Sequence, residues 1–166
     1  MQVSDGTAPL AAELLPHWDR FFRSLVNRRL RSTLYRGPAG DLTPAQLQAL
    51  GALRDSDLRM GDLAQYLGLA ESSVTRLVDR LVAAGLVERR PGQRDRRSVV
   101  AGLTGPGRTL VRQMEADRRT LLVELLGGLE PDERVDAVRL FGRLADALAS
   151  HQADRRPERT TAAAGA

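Results

Sequence analysis

The sequence predicts a mainly α-helical fold with a small β-hairpin, arranged as a winged helix-turn-helix with further helices at both ends. Three observations carry this expectation. Two short amphipathic segments, RMGDLAQYLGL and AESSVTRLVDRLVAAG, are joined by a turn containing Gly68, which is the helix-turn-helix pattern. Directly after the second of them, LVERR and SVVAGLT bracket the stretch RRPGQRDRR at residues 89–97. Two Val- and Leu-bearing runs around a Pro-Gly loop read as a hairpin. Before and after this block, apolar residues recur at spacings of three and four, the period of helices with one buried face.

The elements follow in order. Residues 1–9 are expected to be disordered. Leu14, Trp18, Phe21, Phe22, Leu25, Val26 and Leu30 then mark an N-terminal helix within 10–36, with Pro16 either in its first turn or at a kink. RGPAG at 36–40 is a loop. In DLTPAQLQALGAL, Thr43 is an N-cap, Pro44 the first helical residue and Gln46 the third, a capping box. Met60, Leu63, Ala64 and Leu67 share one face of the next helix. Val74, Leu77, Val78, Leu81 and Val82 share one face of the helix after it, which ends at Gly85. Residues 42–104 thus form the winged unit. Leu110, Met114, Leu121, Leu122 and Leu125 mark a long helix stopped by Gly127-Gly128. Val135, Val138, Leu140, Phe141, Leu144 and Leu148 mark a last helix from Pro131, so that 105–150 is helical. Asp132 and Glu133 complement the dipole of that last helix. Residues 151–166 form a flexible tail, polar and then rich in Ala, Thr and Gly.

Composition narrows the function. Of 166 residues, 42% are apolar, enough for a core, and only 4% are aromatic, so Leu, Val and Ala fill it. The net charge is +4, and every basic residue is arginine. From Glu71 to Arg97, Arg76, Arg80, Arg89, Arg90, Arg94, Arg96 and Arg97 stand against Glu71, Asp79, Glu88 and Asp95. That local excess of positive charge is more informative than the net value. The absence of cysteine excludes disulfides, thiolate chemistry and zinc–cysteine sites. The N-terminus is acidic before its short apolar run, a poor signal peptide, and no run of 18 apolar residues occurs. A cytoplasmic protein without a membrane partner is expected. The two histidines, His17 and His151, have no metal-ligand spacing. No nucleophile motif, phosphate loop or dinucleotide turn is present. No enzyme, metal or cofactor is expected.

Two stretches carry binding chemistry. The second helix of the pair presents Ser72, Ser73, Thr75, Arg76, Asp79 and Arg80 away from its apolar face. Ser72, Arg76 and Arg80 fall on one stripe. Arginine reaches guanine edges or phosphates, and serine or threonine contacts base or backbone, so this face suits a major groove. The plainer alternative is a solvated face with Asp79 paired to Arg76 or Arg80. The arginine loop, alternatively a solubilising tip, is suited to lay guanidiniums on phosphates and into a minor groove. Asp95, alone among the loop arginines, is suited to hold one of them in position. Trp18, Phe21, Phe22 and Tyr35 cluster in and after the first helix. Core packing explains them most simply, and an effector pocket involving His17, Trp18 and Phe21 is the alternative.

Residues 60–104 resemble the MarR family of bacterial transcription regulators in the recognition helix, the GLVER strand entry and a wing ending in D-R-R before a strand and L-T. LTPAQLQAL and the LEPDER helix start are similar too, and the resemblance extends over roughly Trp18–Leu148. It implies a homodimer whose first, fifth and sixth helices interlock, making 10–36 and 105–150 dimerisation segments, with two winged units on pseudo-palindromic double-stranded DNA. It further implies Arg97 in the minor groove, Asp95 orienting an arginine, either Arg97 itself or one of the recognition helix such as Arg76, and Ser72, Ser73, Thr75 and Arg76 facing the major groove. Arg80, Arg89, Arg90, Arg94 and Arg96 would be phosphate contacts. A small anionic or aromatic effector and a repressor role are the corresponding functional expectations. A winged-helix module that binds protein instead of DNA is the competing one. Arg59, Ala70 and Glu130 depart from the family by standing where helix-capping residues are usual.

Overall fold

The computed structural model describes residues 6–26, 35, 37–92 and 98–154. The elements among them are α1 (Thr7–Val26), a 3-10 turn (Gly37–Asp41), α2 (Pro44–Ala52), β1 (Leu58–Arg59), α3 (Met60–Leu67), α4 (Glu71–Ala83), β2 (Val87–Pro91), β3 (Val99–Leu103), α5 (Gly105–Gly127) and α6 (Pro131–Asp154). They fall into two compact units divided between Leu121 and Leu122, within α5.

Local chemistry sets the helix ends. Gln46 N–H donates to Thr43 Oγ1 at 3.3 Å, and Thr43 N–H donates to Gln46 Oε1 at 2.9 Å, so both halves of the capping box form. Arg59 and Ala70 precede α3 and α4 without a side-chain cap. At Glu130, the cap comes from Glu133, whose carboxylate accepts the Glu130 N–H at 2.9 Å. Gly68 and Gly85 close α3 and α4 at φ +65° and +70°, a left-handed turn that a side chain disfavours. Behind them Leu69 N–H reaches Ala64 O and Leu86 N–H reaches Leu81 O, both at 3.0 Å. These bonds satisfy carbonyls that the helix ends leave open.

The core of the first unit sits where α2, α3, α4, the sheet and the start of α5 meet. Leu50, Leu63, Val74, Val78, Leu81 and Val87 are its largest fully buried side chains. Each such aliphatic side chain contributes about 1.5–3 kcal/mol on burial. The sheet is antiparallel in the order β1–β3–β2. Leu58 pairs with Ala101 and Arg59 with Val100 on one side of β3. Glu88 pairs with Gly102 and Arg90 with Val100 on the other. β1 has only two residues, too short for any periodicity, and it is the element that sequence reasoning does not anticipate. Thr104 joins hairpin to helix. Its N–H donates to Leu86 O, its hydroxyl donates to Gly85 O at 2.7 Å, and the same hydroxyl caps the Gly107 N–H at 3.0 Å.

α1 begins at Thr7, before the expected start at 10, and carries Pro16 inside it. Trp18, Phe21 and Phe22 do not join the core. Trp18 remains 47% exposed, and the three rings stack on one another instead, Trp18 on Phe22 at 4.4 Å and Phe21 edge-on to Phe22 at 5.6 Å. Among the four expected core aromatics, Tyr35 is buried, and burial pushes its phenol pKa up, with Arg118 opposing. In the second unit, Arg134 Nε donates to Leu126 O at 3.0 Å and Leu129 O at 2.9 Å, closing the turn into α6. The apolar residues of α6 are exposed, Phe141 at 68%.

Two glycines give a test with opposite signs. A Cβ at Gly107 would collide with the Leu86 carbonyl oxygen, a backbone atom that cannot swing away, whereas nothing lies within 4 Å of one at Gly51. Gly107→Ala is expected to destabilise by about 1–3 kcal/mol. Gly51→Ala, inside a helix, is expected to stabilise by about 0.5–1 kcal/mol. Urea unfolding midpoints measure both.

Candidate nucleic-acid interface

α4 is held by its apolar face, so the opposite face is left to solvent. Val74, Leu77, Val78 and Leu81 are buried, while Ser72, Thr75, Arg76, Asp79 and Arg80 are exposed and Ser73 is half-buried. The Thr75 hydroxyl donates to Glu71 O at 2.9 Å. Its proton is thereby committed to the helix, and it offers a partner its oxygen as an acceptor. Neither Arg76 nor Arg80 makes a salt bridge among the described residues.

An open cleft of about 270 Å³ lies beside them, lined by Thr43, Ala45 and Gln46 of the α2 start and by Ser73, Arg76, Leu77 and Arg80 of α4. Ser72, Arg76 and Arg80, the expected stripe, are all exposed. The cleft takes both arginines but the neighbouring Ser73, because positions three, four and seven apart share a helix face. Thr43 and Gln46, legible in the sequence only as a cap, line this site as well.

The arginines of β2 are engaged differently. Arg89 Nη1 pairs with Asp79 Oδ1 at 2.5 Å, across from β2 to α4. Asp79 thus finds its partner outside its own helix, and not in Arg76 or Arg80 as the plainer alternative had it. Arg90 donates through Nη2 to Glu88 and through Nη1 to Asp57 Oδ2 at 3.4 Å. The hydrogen bond to Arg90 holds the Glu88 carboxyl below its usual range, and the same bond holds the Arg90 guanidinium above its own. Asp57 lies one residue before β1, and nothing in the sequence around a lone loop aspartate predicts which strand it faces.

A second arginine-centred pair sits in the same loop. Arg54 binds Asp55 through Nε at 2.9 Å and Nη2 at 2.8 Å, and binds Glu115 of α5 through Nη1 at 2.9 Å. The Asp55 hydrogen bond, followed by that of Glu115, raises the Arg54 pKa, and Arg54 in turn depresses that of Asp55.

Arg94, Asp95, Arg96 and Arg97 lie outside the described residues, as does Gln93. His17, Trp18 and Phe21 lie together on α1, with His17 Nδ1 3.2 Å from Arg20 Nη2. Among the described residues no group of three or more His, Cys, Asp or Glu could hold a metal ion, and no helix is long and apolar enough to cross a membrane.

Comparison with known proteins agrees with this architecture. A model of the MarR family matches residues 40–98. The HTH-type transcriptional repressor MdtR of Bacillus subtilis (strain 168) is 30% identical over 107 residues, covering 64% of this chain and 69% of its own. The crystal structure of RV1404 from Mycobacterium tuberculosis is similar at a TM-score of 0.70 and 27% identity, over 89% of this chain and 97% of that one. A structure of Bordetella bronchiseptica BpsR, concerned with the regulation of its DNA binding by 6-hydroxynicotinic acid, is similar at a TM-score of 0.56 and 26% identity, over 88% and 97% of the two chains. The chain belongs to the MarR family of DNA-binding, helix-turn-helix transcriptional regulators.

Proposed function

We propose that this regulator is a homodimeric repressor that binds a pseudo-palindromic operator in double-stranded DNA and is released by a small anionic or aromatic ligand. The observation that carries the DNA reading is the pair Arg76 and Arg80. Both are exposed on a helix whose rotation is fixed by its buried face, and neither has an acidic partner among the described residues. Arg76, with Ser72, Ser73 and Thr75, faces base edges in the major groove. Arg80 and the cleft beside it receive a backbone phosphate. Arg97 enters the minor groove, Asp95 holds an arginine of the wing, and Arg94 and Arg96 lie on phosphates. Arg89 and Arg90 already have carboxylate partners and act mainly by holding β2 in place.

Dimerisation is supported by what each unit leaves uncovered. Leu14, Trp18 and Phe21 on α1, and Val138, Phe141 and Leu144 on α6, are exposed in the single chain. Large apolar patches of this kind mark interfaces. Two winged units so joined would address half-sites about 34–36 Å apart, and a ligand that changes this separation would release DNA. The effector reading draws on the similar BpsR, whose DNA binding responds to an aromatic acid. His17, Trp18 and Phe21 are the residues proposed to meet such a ligand.

Binding selection from random duplexes supplies the operator for the tests. Arg76→Ala is expected to cost about 1–3 kcal/mol and to relax base preference at one position in each half-site. Arg80→Ala should weaken all duplexes alike and lower the slope of log K against log salt by about one. A monomer in size-exclusion chromatography, together with unchanged duplex binding by Arg97→Ala, would overturn the proposal.

The loop supplies a sharper test. Asp95→Ala makes the wing more positive, so charge counting alone predicts tighter binding. Its proposed role as an arginine holder predicts weaker binding instead, read as a higher Kd in fluorescence anisotropy at fixed salt.

A further inference from the structure

The register of the sheet brings two acids to one glycine. Glu88 of β2 stands directly opposite Gly102 of β3. On the other side of β3, Leu58 pairs with Ala101, so Asp57 comes level with the same Gly102. Side chains opposite one another in a sheet share a face, and Arg90, two residues beyond Glu88, shares it too. Arg90 donates to both acids. Gly102 is what makes room for this. A Cβ there would come within 2.6 Å of Asp57 Cγ and collide with its carboxylate oxygens. The residue is buried and its φ is not in the left-handed region, so the backbone does not require glycine and the seat for the carboxylate does.

We propose that Asp57, Arg90 and Glu88, seated over Gly102, form a clasp across all three strands that positions the wing, and that Arg54 extends it to α5 through Glu115. The proposal rests on the DNA-binding reading for its purpose, since a wing held at a set angle is useful to a protein that must place it on a duplex. Asp57, Gly102 and Arg54 are positioning residues and touch no DNA. The loop from Arg54 to Asp57 is then a strap with one end on α5 and the other on β2. Through this strap a displacement of α5 at Glu115 would be passed to the base of the wing. The pairs are partly exposed, so the clasp weakens as salt rises.

Gly102→Ala separates this role from a structural one. The atoms it displaces are the free end of the Asp57 side chain, which can swing into solvent. The fold should therefore survive, with a thermal midpoint within about 2 °C of the original, while the clasp opens. Asp57→Asn should do the same by removing the charge and keeping the shape. The first readout needs no DNA. Amide hydrogen exchange in the β2–β3 ladder on the tip side of Gly102 should accelerate about tenfold in both variants, with the core amides of α4 unchanged. An unchanged ladder overturns the clasp, and so does acceleration in ladder and core together, which marks a general loss of stability.

The second readout is a double-mutant cycle on the selected operator. Each variant should weaken binding about five- to tenfold, and Arg97→Ala should cost less in the Asp57→Asn background than in the original. Full additivity overturns action through the wing. If the original protein binds no duplex, the DNA reading fails, and the exchange measurement still decides the clasp.

Discussion

Val74, Leu77, Val78 and Leu81 lie against α2, α3 and β2, and their burial fixes the rotation of α4 about its own axis. A helix turns about 100° per residue, so a slip of one position would carry an arginine into the core and a leucine into water. Burying an unpaired guanidinium is costly enough to exclude that arrangement. The exposed face of α4 therefore owes its composition and its direction to the apolar face behind it. Everything else in the interface is placed relative to this helix. Gly85 turns the chain sharply enough for β2 to return along α4, and Thr104 pins the far end of the hairpin to the same turn through Gly85 O and Leu86 O.

Against that frame the arginines sort by partner. Arg54, Arg89 and Arg90 each hold one or two carboxylates, and each makes one pair that joins separate elements: loop to α5, β2 to α4, β2 to the β1 edge. Arg76 and Arg80 hold none among the described residues. A guanidinium engaged by a fixed carboxylate gives less to a phosphate, because the new contact must compete with the old one. An unengaged one brings its full charge and its planar fork. The acidic residues scattered through an arginine-rich segment thus do more than reduce its net charge. They select which arginines remain available.

Much of this was legible in the sequence. The spacing of apolar residues and the glycines at 68 and 85 were sufficient for α3 and α4, and the Val- and Leu-bearing runs around Pro91-Gly92 for the hairpin. The Thr43–Gln46 capping box was legible because both partners lie within one turn. What was not legible depended on residues far apart in the chain. The two-residue β1 has no period of its own and exists only because β3 offers it an edge. Arg76 and Arg80 are the partners near Asp79 in sequence, yet it pairs with Arg89 because β2 folds back along α4. The aromatic cluster of α1 reads as core, since nothing in one chain's periodicity distinguishes a face buried within the unit from one left uncovered by it.

Exposed ion pairs contribute little net stability, which raises the question of how such pairs could position a wing. The answer lies in the difference between energy and geometry. Asp57 is placed by the chain, immediately before a paired strand, and its carboxylate occupies a notch that only a missing side chain leaves open. The notch therefore gives the carboxylate room on the face that Arg90 shares, and the pairing with Arg90 holds it there. Arg90 then needs only to choose among its own rotamers, and two carboxylates on the same face make one choice better than the others. Besides the Arg89–Asp79 pair that ties β2 to α4, this clasp is what bears on the angle of a short hairpin. A small bias applied there moves the tip further than the base, much as a hinge amplifies a small rotation. Gly102 is thus a residue whose absent side chain matters more for where the wing points than for whether the protein folds.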